Sequence, residues 1–268
     1  MKLAISNIAW NDNHDYYYQL MQLYGFTGLE IAPTRFSANP YANLAVAKRV
    51  KQELLSKYKL SVVSMQSLLF GTDGLALFTT TEARTNLTDY LKKAIIYAEL
   101  IECPVLVFGN PKNRIMSDLA NDYQLAVEFF KELGEFAKQH NTCLCIEPNP
   151  KEYGTNFINT LSETNELVNE VQSDGFAMII DSSTMIINQD QPEFDVEILK
   201  NTKHIHLSMP FLKPLNHEFT TNETWVKQFL NHIQSSDYKR YVSIEMANAT
   251  QKDIAASLNL LNHLVSPQ

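Results

Sequence analysis

Short apolar runs alternate along the chain with longer stretches whose apolar residues recur every third or fourth position. The short runs predict buried strands at Lys2–Ser6, Gly28–Ile31, Ser61–Met65, Val105–Phe108, Cys143–Ile146, Ala177–Ile180, His204–Leu207 and Val242–Ile244. The longer stretches predict helices at approximately Asp15–Tyr24, Leu44–Tyr58, Glu82–Ile101, Asp118–Gln139, Leu161–Val171, Phe194–Lys200, Asn222–Gln234 and Lys252–Leu264. In the fourth of these, Leu125, Phe129, Leu133 and Phe136 fall on one face. Thr81 offers a cap to the third helix, with Glu82 in its first turn, and Ser162 offers an imperfect cap to the fifth.

Eight strand-then-helix units in 268 residues match a (β/α)8 barrel in count and size. The expected fold class is therefore α/β, a (β/α)8 barrel, with residues 1–268 forming a single domain. An open doubly wound sheet would carry a glycine-rich turn after its first strand. None of the 8 glycines forms a G-x-G-x-x-G pattern.

In a barrel, chemistry sits at the carboxyl ends of the strands. The stretch TCLCIEPNP ends an apolar strand on Glu147, and Pro148 and Pro150 forbid both a longer strand and an immediate helix. A carboxylate so placed is costly to bury unless something pairs with it. The arrangement recurs: MIID ends on Asp181, HIH puts His206 near a strand end, and VSIE ends on Glu245. Three carboxylates and one imidazole are ligand types suited to a divalent metal. Strand alternation puts Cys143 and Cys145 on the inward face of Glu147, Ile179 on that of Asp181, and Ser243 on that of Glu245. His204 shares the inward face of His206 one layer deeper, as a hydrogen-bonded core histidine or as a ligand.

Composition adds limits. Hydrophobic residues at 45% and charged residues at 19% give ample material for a core. A net charge of −8 argues against nonspecific nucleic-acid binding. Cys103, Cys143 and Cys145 are odd in number and lie in apolar segments, as reduced thiols do. The start, MKLAISNIAWND, has one basic residue and too short an apolar run for a signal peptide. No apolar run approaches a membrane span, so a cytoplasmic location is expected.

With SNIAW near the start, GLEIAP at 28–33, VSMQS at 63–67, FGNPKNR at 108–114, IEPNP at 146–150, IID at 179–181, HIHLS at 204–208 and SIE at 243–245, the chain resembles the sugar phosphate isomerase/epimerase superfamily, the xylose isomerase-like barrels. The resemblance covers essentially the full length. It implies one divalent metal held by Glu147, Asp181, His206 and Glu245, with Glu147 and Glu245 acting on opposite faces of the substrate carbon. There are departures. The ketose 3-epimerases of this superfamily place a histidine three residues after the aspartate, where this chain has Thr184. Related barrels often place an acid three residues after the ligand histidine, where this chain has Met209. Endonuclease-IV-like repair enzymes use three zinc ions and need further histidines where Gln66 and Gly109 stand, which disfavours DNA repair.

An oxygen-rich ligand set favours manganese, magnesium or cobalt, and zinc is compatible with the histidine. Such an ion polarises a carbonyl and stabilises an enediolate. Glu147 and Glu245, from strands three apart, then flank the substrate; one removes a proton and the other returns it. The expected function is a metal-dependent isomerase or epimerase on a sugar or sugar phosphate. An inosose-dehydratase-like lyase is the alternative, and a sugar-binding barrel without turnover is the third reading.

Substrate-binding expectations fall on Trp10, Glu30, Gln66, Lys112, Arg114 and Asn149. Trp10, with Phe70, would wall a sugar's C–H face, or Trp10 is simply core. Glu30 would support a ligand from behind, hydrogen-bond substrate or make a structural ion pair. Lys112 and Arg114 would grip a phosphate or carboxylate, or remain solvated loop charges. Asn149 and Tyr153 follow Glu147 at the mouth. The expected partner is a small carbohydrate, with no nucleic acid and no membrane; a homo-oligomer is compatible with the sequence.

Overall fold

Each short apolar run pairs with a parallel neighbour on both sides, and the set closes on itself. The computed structural model describes residues 1–42 and 44–266. Its strands are β1 (Lys2–Ser6), β2 (Gly28–Ile31), β3 (Ser61–Met65), β4 (Val105–Phe108), β5 (Cys143–Ile146), β6 (Phe176–Asp181), β7 (Thr202–Ser208) and β8 (Tyr241–Glu245). They run in sequence order around a closed barrel, with β8 returning to β1. The fold class is the predicted (β/α)8 barrel. Outside it lie α1 (His14–Leu23), α2 (Leu44–Glu53), α3 (Thr81–Leu100), α4 (Leu119–Gln139), α5 (Leu161–Val171), α6 (Ser182–Ile187), α7 (Val196–Asn201), α8 (Leu215–Ser235) and α9 (Gln251–Val265).

Alternation along the strands divides the apolar material into two layers. Leu106, Phe108, Leu144, Ile146, Met178 and Ile180 join the main core with helix residues such as Leu91, Ile95, Phe130 and Leu167. Phe130 is fully buried and stacks on Phe176 at 4.7 Å, so truncating it to alanine would cost about 3–5 kcal/mol. The intervening residues Val105, Val107, Cys143, Cys145, Ala177 and Ile179 form a separate cluster inside the barrel. All three cysteines are buried and free.

Two register shifts matter for the site. Between β2 and β3, Leu29 pairs with Val62 but Glu30 pairs with Ser64. Between β6 and β7, Met178 pairs with Thr202 but Ile179 pairs with His204, which brings Asp181 beside His206. Each shift is a bulge of one residue, at Val63 and Lys203, that re-aims the side chains beyond it.

Helix caps or starts lie upstream of the sequence reading in three places. Thr80, not Thr81, accepts from Ala83 N–H to start α3. Thr160, not Ser162, starts α5 through a capping box with Glu163. The eighth helix begins at Leu215 instead of Asn222, because Pro214 sets its entry before a run of weak helix formers. The short α6 was not expected; Asp181 caps it through Thr184 N–H. Among the described residues no helix is long and apolar enough to cross a membrane.

Candidate metal centre

His206 stands at the inner wall with one ring nitrogen turned to each of two acid groups. Its Nδ1 lies 2.8 Å from Glu147 Oε1 and 3.4 Å from Glu245 Oε2, at the mouth. Its Nε2 lies 2.9 Å from Glu30 Oε2, deeper in the barrel. One ligand atom from each of Glu147, Asp181, His206 and Glu245 lies within 4.8 Å of the others. Strand ends place them: Asp181 and Glu245 close β6 and β8, Glu147 follows β5, and His206 lies inside β7.

Local bonds fix the ligands. Glu147 N–H donates to the Phe108 carbonyl at 3.3 Å, and its own carbonyl accepts from Arg114 Nη2 at 2.6 Å. A Cβ at position 109 would overlap Glu147 Oε2, so glycine there makes room for that carboxylate. Asp181 Oδ1 accepts from Thr184 N–H at 2.6 Å, and Oδ2 accepts from Ser208 Oγ.

The electrostatics suit a cation. Burial, with the neighbouring Glu147 carboxylate, pushes Asp181 up to about 6. Burial likewise pushes Glu245 well above the carboxylate range; Glu147, Asp181 and Glu30 add to this against His206. Burial opposes charge on His206, but Glu30, Glu245 and Glu147 hold its imidazolium well above the usual histidine range. Burial and mutual repulsion thus favour protons on Asp181 and Glu245, in a cluster whose oxygens and Nδ1 converge as divalent-metal ligands do.

Glu30, His204 and His206 also converge within 4.8 Å. There the carboxylate is already surrounded. Ser64 Oγ donates to Oε2 at 2.6 Å, Gln66 Nε2 to Oε1 at 2.9 Å, and His204 Nε2 lies 2.9 Å from Oε2. His204 is thus a hydrogen-bonded interior histidine.

A family model described as xylose isomerase-like TIM barrel matches residues 18–264. The chain belongs to that family. No curated protein matches it by sequence. Among solved structures, 3-keto-D-glucoside 4-epimerase from E. coli in its apo form is 18% identical, with 98% of each chain covered and a TM-score of 0.75. D-psicose 3-epimerase from Clostridium cellulolyticum H10, solved with D-tagatose, is 15% identical over 100% of both chains, with a TM-score of 0.76. The IOLI protein with a binding zinc atom is 14% identical, with 99% of this chain and 98% of that one covered and a TM-score of 0.70. At these identities the likeness is one of fold.

On this xylose isomerase-like barrel, a cavity of about 250 Å³ opens above the acids. Glu147, Asp181 and Glu245 form its charged part, and Gln66, Asn149 and Tyr153 line it as well. Five residues named from the sequence lie outside the lining. Trp10 is buried against Tyr17 at 4.7 Å and donates to His14 Nδ1, so it packs α1 to the barrel. Phe70 is exposed and lies outside the lining. Lys112 faces a separate groove beside the start of α3. Arg114 turns inward behind Glu147, where burial pushes its guanidinium down to about 10 and Glu147 opposes that. Glu30 lies beneath the cavity, touching His206 instead of lining the wall.

Sequence reasoning did not assign Ser67, Asn110, Ser183, Thr184 and Leu212 to the site, and they line it too. It also missed the clamp made by Tyr153. That hydroxyl accepts from Phe211 N–H at 2.9 Å and lies 2.8 Å from Ser183 Oγ. Phe211 and Leu212 both have left-handed backbone, φ 60° and 54°, unusual for bulky residues. The available signal was a tyrosine in the loop directly after the fifth strand.

Proposed function

We propose that this protein is a divalent-metal-dependent isomerase or epimerase of sugars that works by proton transfer next to a carbonyl. The carrying observation is the convergence of Glu147, Asp181, Glu245 and His206 within 4.8 Å beneath a cavity. Three carboxylates this close repel one another unless protons or a cation intervene. The bond from His206 Nε2 to Glu30 leaves Nδ1 facing the acids, the orientation a metal-binding histidine needs.

A divalent ion held by Glu147, Asp181, His206 and Glu245 would supply Lewis-acid polarisation of a carbonyl. The remaining steps belong to the side chains. Asp181, tied at both oxygens to Thr184 N–H and Ser208 Oγ, is held still and acts as a ligand. Glu147 and Glu245 rise from β5 and β8, three strands apart, and both line the cavity. One carboxylate oxygen takes the proton from the carbon beside the carbonyl, and the opposite glutamate returns one. Return to the other face of that carbon is epimerisation; return to the neighbouring carbon is isomerisation. The likeness to structures named as 3-keto-D-glucoside 4-epimerase and D-psicose 3-epimerase supports a keto sugar as the substrate class. The zinc atom in the IOLI structure's name supports a metal.

The test is solvent-deuterium incorporation into a panel of ketoses and their phosphates with manganese, magnesium or cobalt. Incorporation without change of skeleton mass is expected. No incorporation into any member removes the reading, and loss of water from the product replaces it with a lyase.

A further inference from the structure

We infer that this site takes an uncharged polyhydroxylated carbonyl compound, a free keto sugar, and rejects sugars that carry a phosphate or carboxylate. The inference rests on the isomerase or epimerase reading and narrows it to one substrate class.

The first ground is the lining. The protein has 22 lysines and arginines, and none lines the cavity. The cations on nearby loops, exposed Lys151 after β5 among them, stay outside the lining. Arg114 is buried beneath Glu147 and gives Nη2 to its carbonyl. Lys112 lines the other groove, Lys213 pairs with Glu218 at 2.9 Å, and Arg35 bonds Asn11 and the Ile8 carbonyl. Beyond the acids, the polar wall is neutral: Gln66, Ser67, Asn110, Asn149, Ser183 and Thr184. Amides and hydroxyls both donate and accept, as sugar hydroxyls require.

The second ground is the backbone. Barrels of this architecture most often hold phosphate on loop N–H groups after the seventh and eighth strands. Here several of those donors are already used. Pro210 has no N–H, Phe211 N–H goes to Tyr153 and Leu212 N–H to Met209. Ala247 N–H goes to Leu212 and Ala249 N–H to Ala9. After β6, Ser183 N–H goes to Ser208 Oγ and Thr184 N–H to Asp181.

The third ground is charge. Glu147, Asp181 and Glu245 outweigh one divalent ion by one negative unit, and buried Glu30 offsets buried Arg114. An anionic substituent would enter a site that stays negative with its metal in place, which selects against it. The cavity, about 250 Å³, also lies below the roughly 300–1,000 Å³ of drug-sized ligand pockets, which suits one monosaccharide.

The experiment uses the full chain with manganese and matched pairs: D-fructose and D-fructose 6-phosphate, and D-xylulose and D-xylulose 5-phosphate. An inosose and 2-keto-D-gluconate complete the set. Binding is read by calorimetry and turnover by deuterium incorporation. The free ketoses should exceed their phosphates by at least about 100-fold in kcat/KM, and Asn110→Lys should narrow that gap. Equal or better use of the phosphates overturns the inference and leaves the proton-transfer reading intact. Binding of free sugars alone, without exchange in any compound, keeps the inference and removes that reading. No binding and no exchange across the set overturns both.

Discussion

His206 separates two acidic layers that obey opposite rules. Beneath it, Glu30 is a fully buried carboxylate ringed by Ser64, Gln66, His204 and His206. Burial alone would raise Glu30, but charge on His206 and His204 and their hydrogen bonds hold it well below the carboxylate range. Above it, Asp181 and Glu245 face Glu147 and are pushed up instead. The residue type and degree of burial are nearly the same; what differs is the number of donors. The lower layer is complete as protein and orients the histidine. The upper layer is incomplete, and its missing charge is the reason to place a cation there.

The contrast can be broken at several points. Glu245→Gln has the largest expected effect: at saturating manganese, deuterium incorporation should fall by about 10²–10⁴-fold, the scale of a lost general acid or base. Retained exchange would remove Glu245 from proton transfer. Next comes pH. Asp181 has its folded value raised from 3.8 to about 6. Between those values the folded metal-free protein binds more protons than the unfolded chain, so its stability falls as pH rises. The loss is up to roughly 3 kcal/mol for this group. Urea unfolding across that window should show the fall, and saturating manganese should reverse its slope.

The lower layer is tested by Glu30→Gln, which keeps the shape and removes the charge behind His206. Metal affinity by calorimetry should drop about 10–100-fold, the scale of lost outer-shell partners. An unchanged affinity would mean that the two layers are independent. The smallest effect is expected from Tyr153→Phe. Loss of its bonds to Phe211 and Ser183 should cost about 0.5–1.5 kcal/mol, seen as a raised KM with kcat nearly kept.

The barrel was legible because strand and helix periods differ and the apolar runs are short and regular. The four residues that converge at the mouth stood out for a related reason: each is a metal-type side chain at the end of a buried strand. The bulges at Val63 and Lys203 were not legible, since no glycine or proline marks them, yet they set Ser64 beside Glu30 and Asp181 beside His206. Loop residues left two readings open each. Trp10, Lys112 and Arg114 have the right chemistry for a sugar site, but loop direction is decided by tertiary neighbours. Tyr17 captures Trp10, and the Glu147 carbonyl captures Arg114. Thr160 displaced Ser162 as a cap because Glu163 completes the reciprocal bond from that position.

The bonds that hold Glu30 in place have a kinetic consequence. Its contact with His206 spans 176 residues of chain, and that with Ser243 spans 213. The first needs β7 in place and the second needs the last strand, β8, which also carries Glu245, so the polar plug and the site above it are completed at the final stage of folding. A metal held by Glu147, Asp181, His206 and Glu245 would recognise only the closed barrel. It should therefore slow the escape from the native state and leave the rate of reaching it unchanged, lengthening the unfolding half-life without helping the chain to fold.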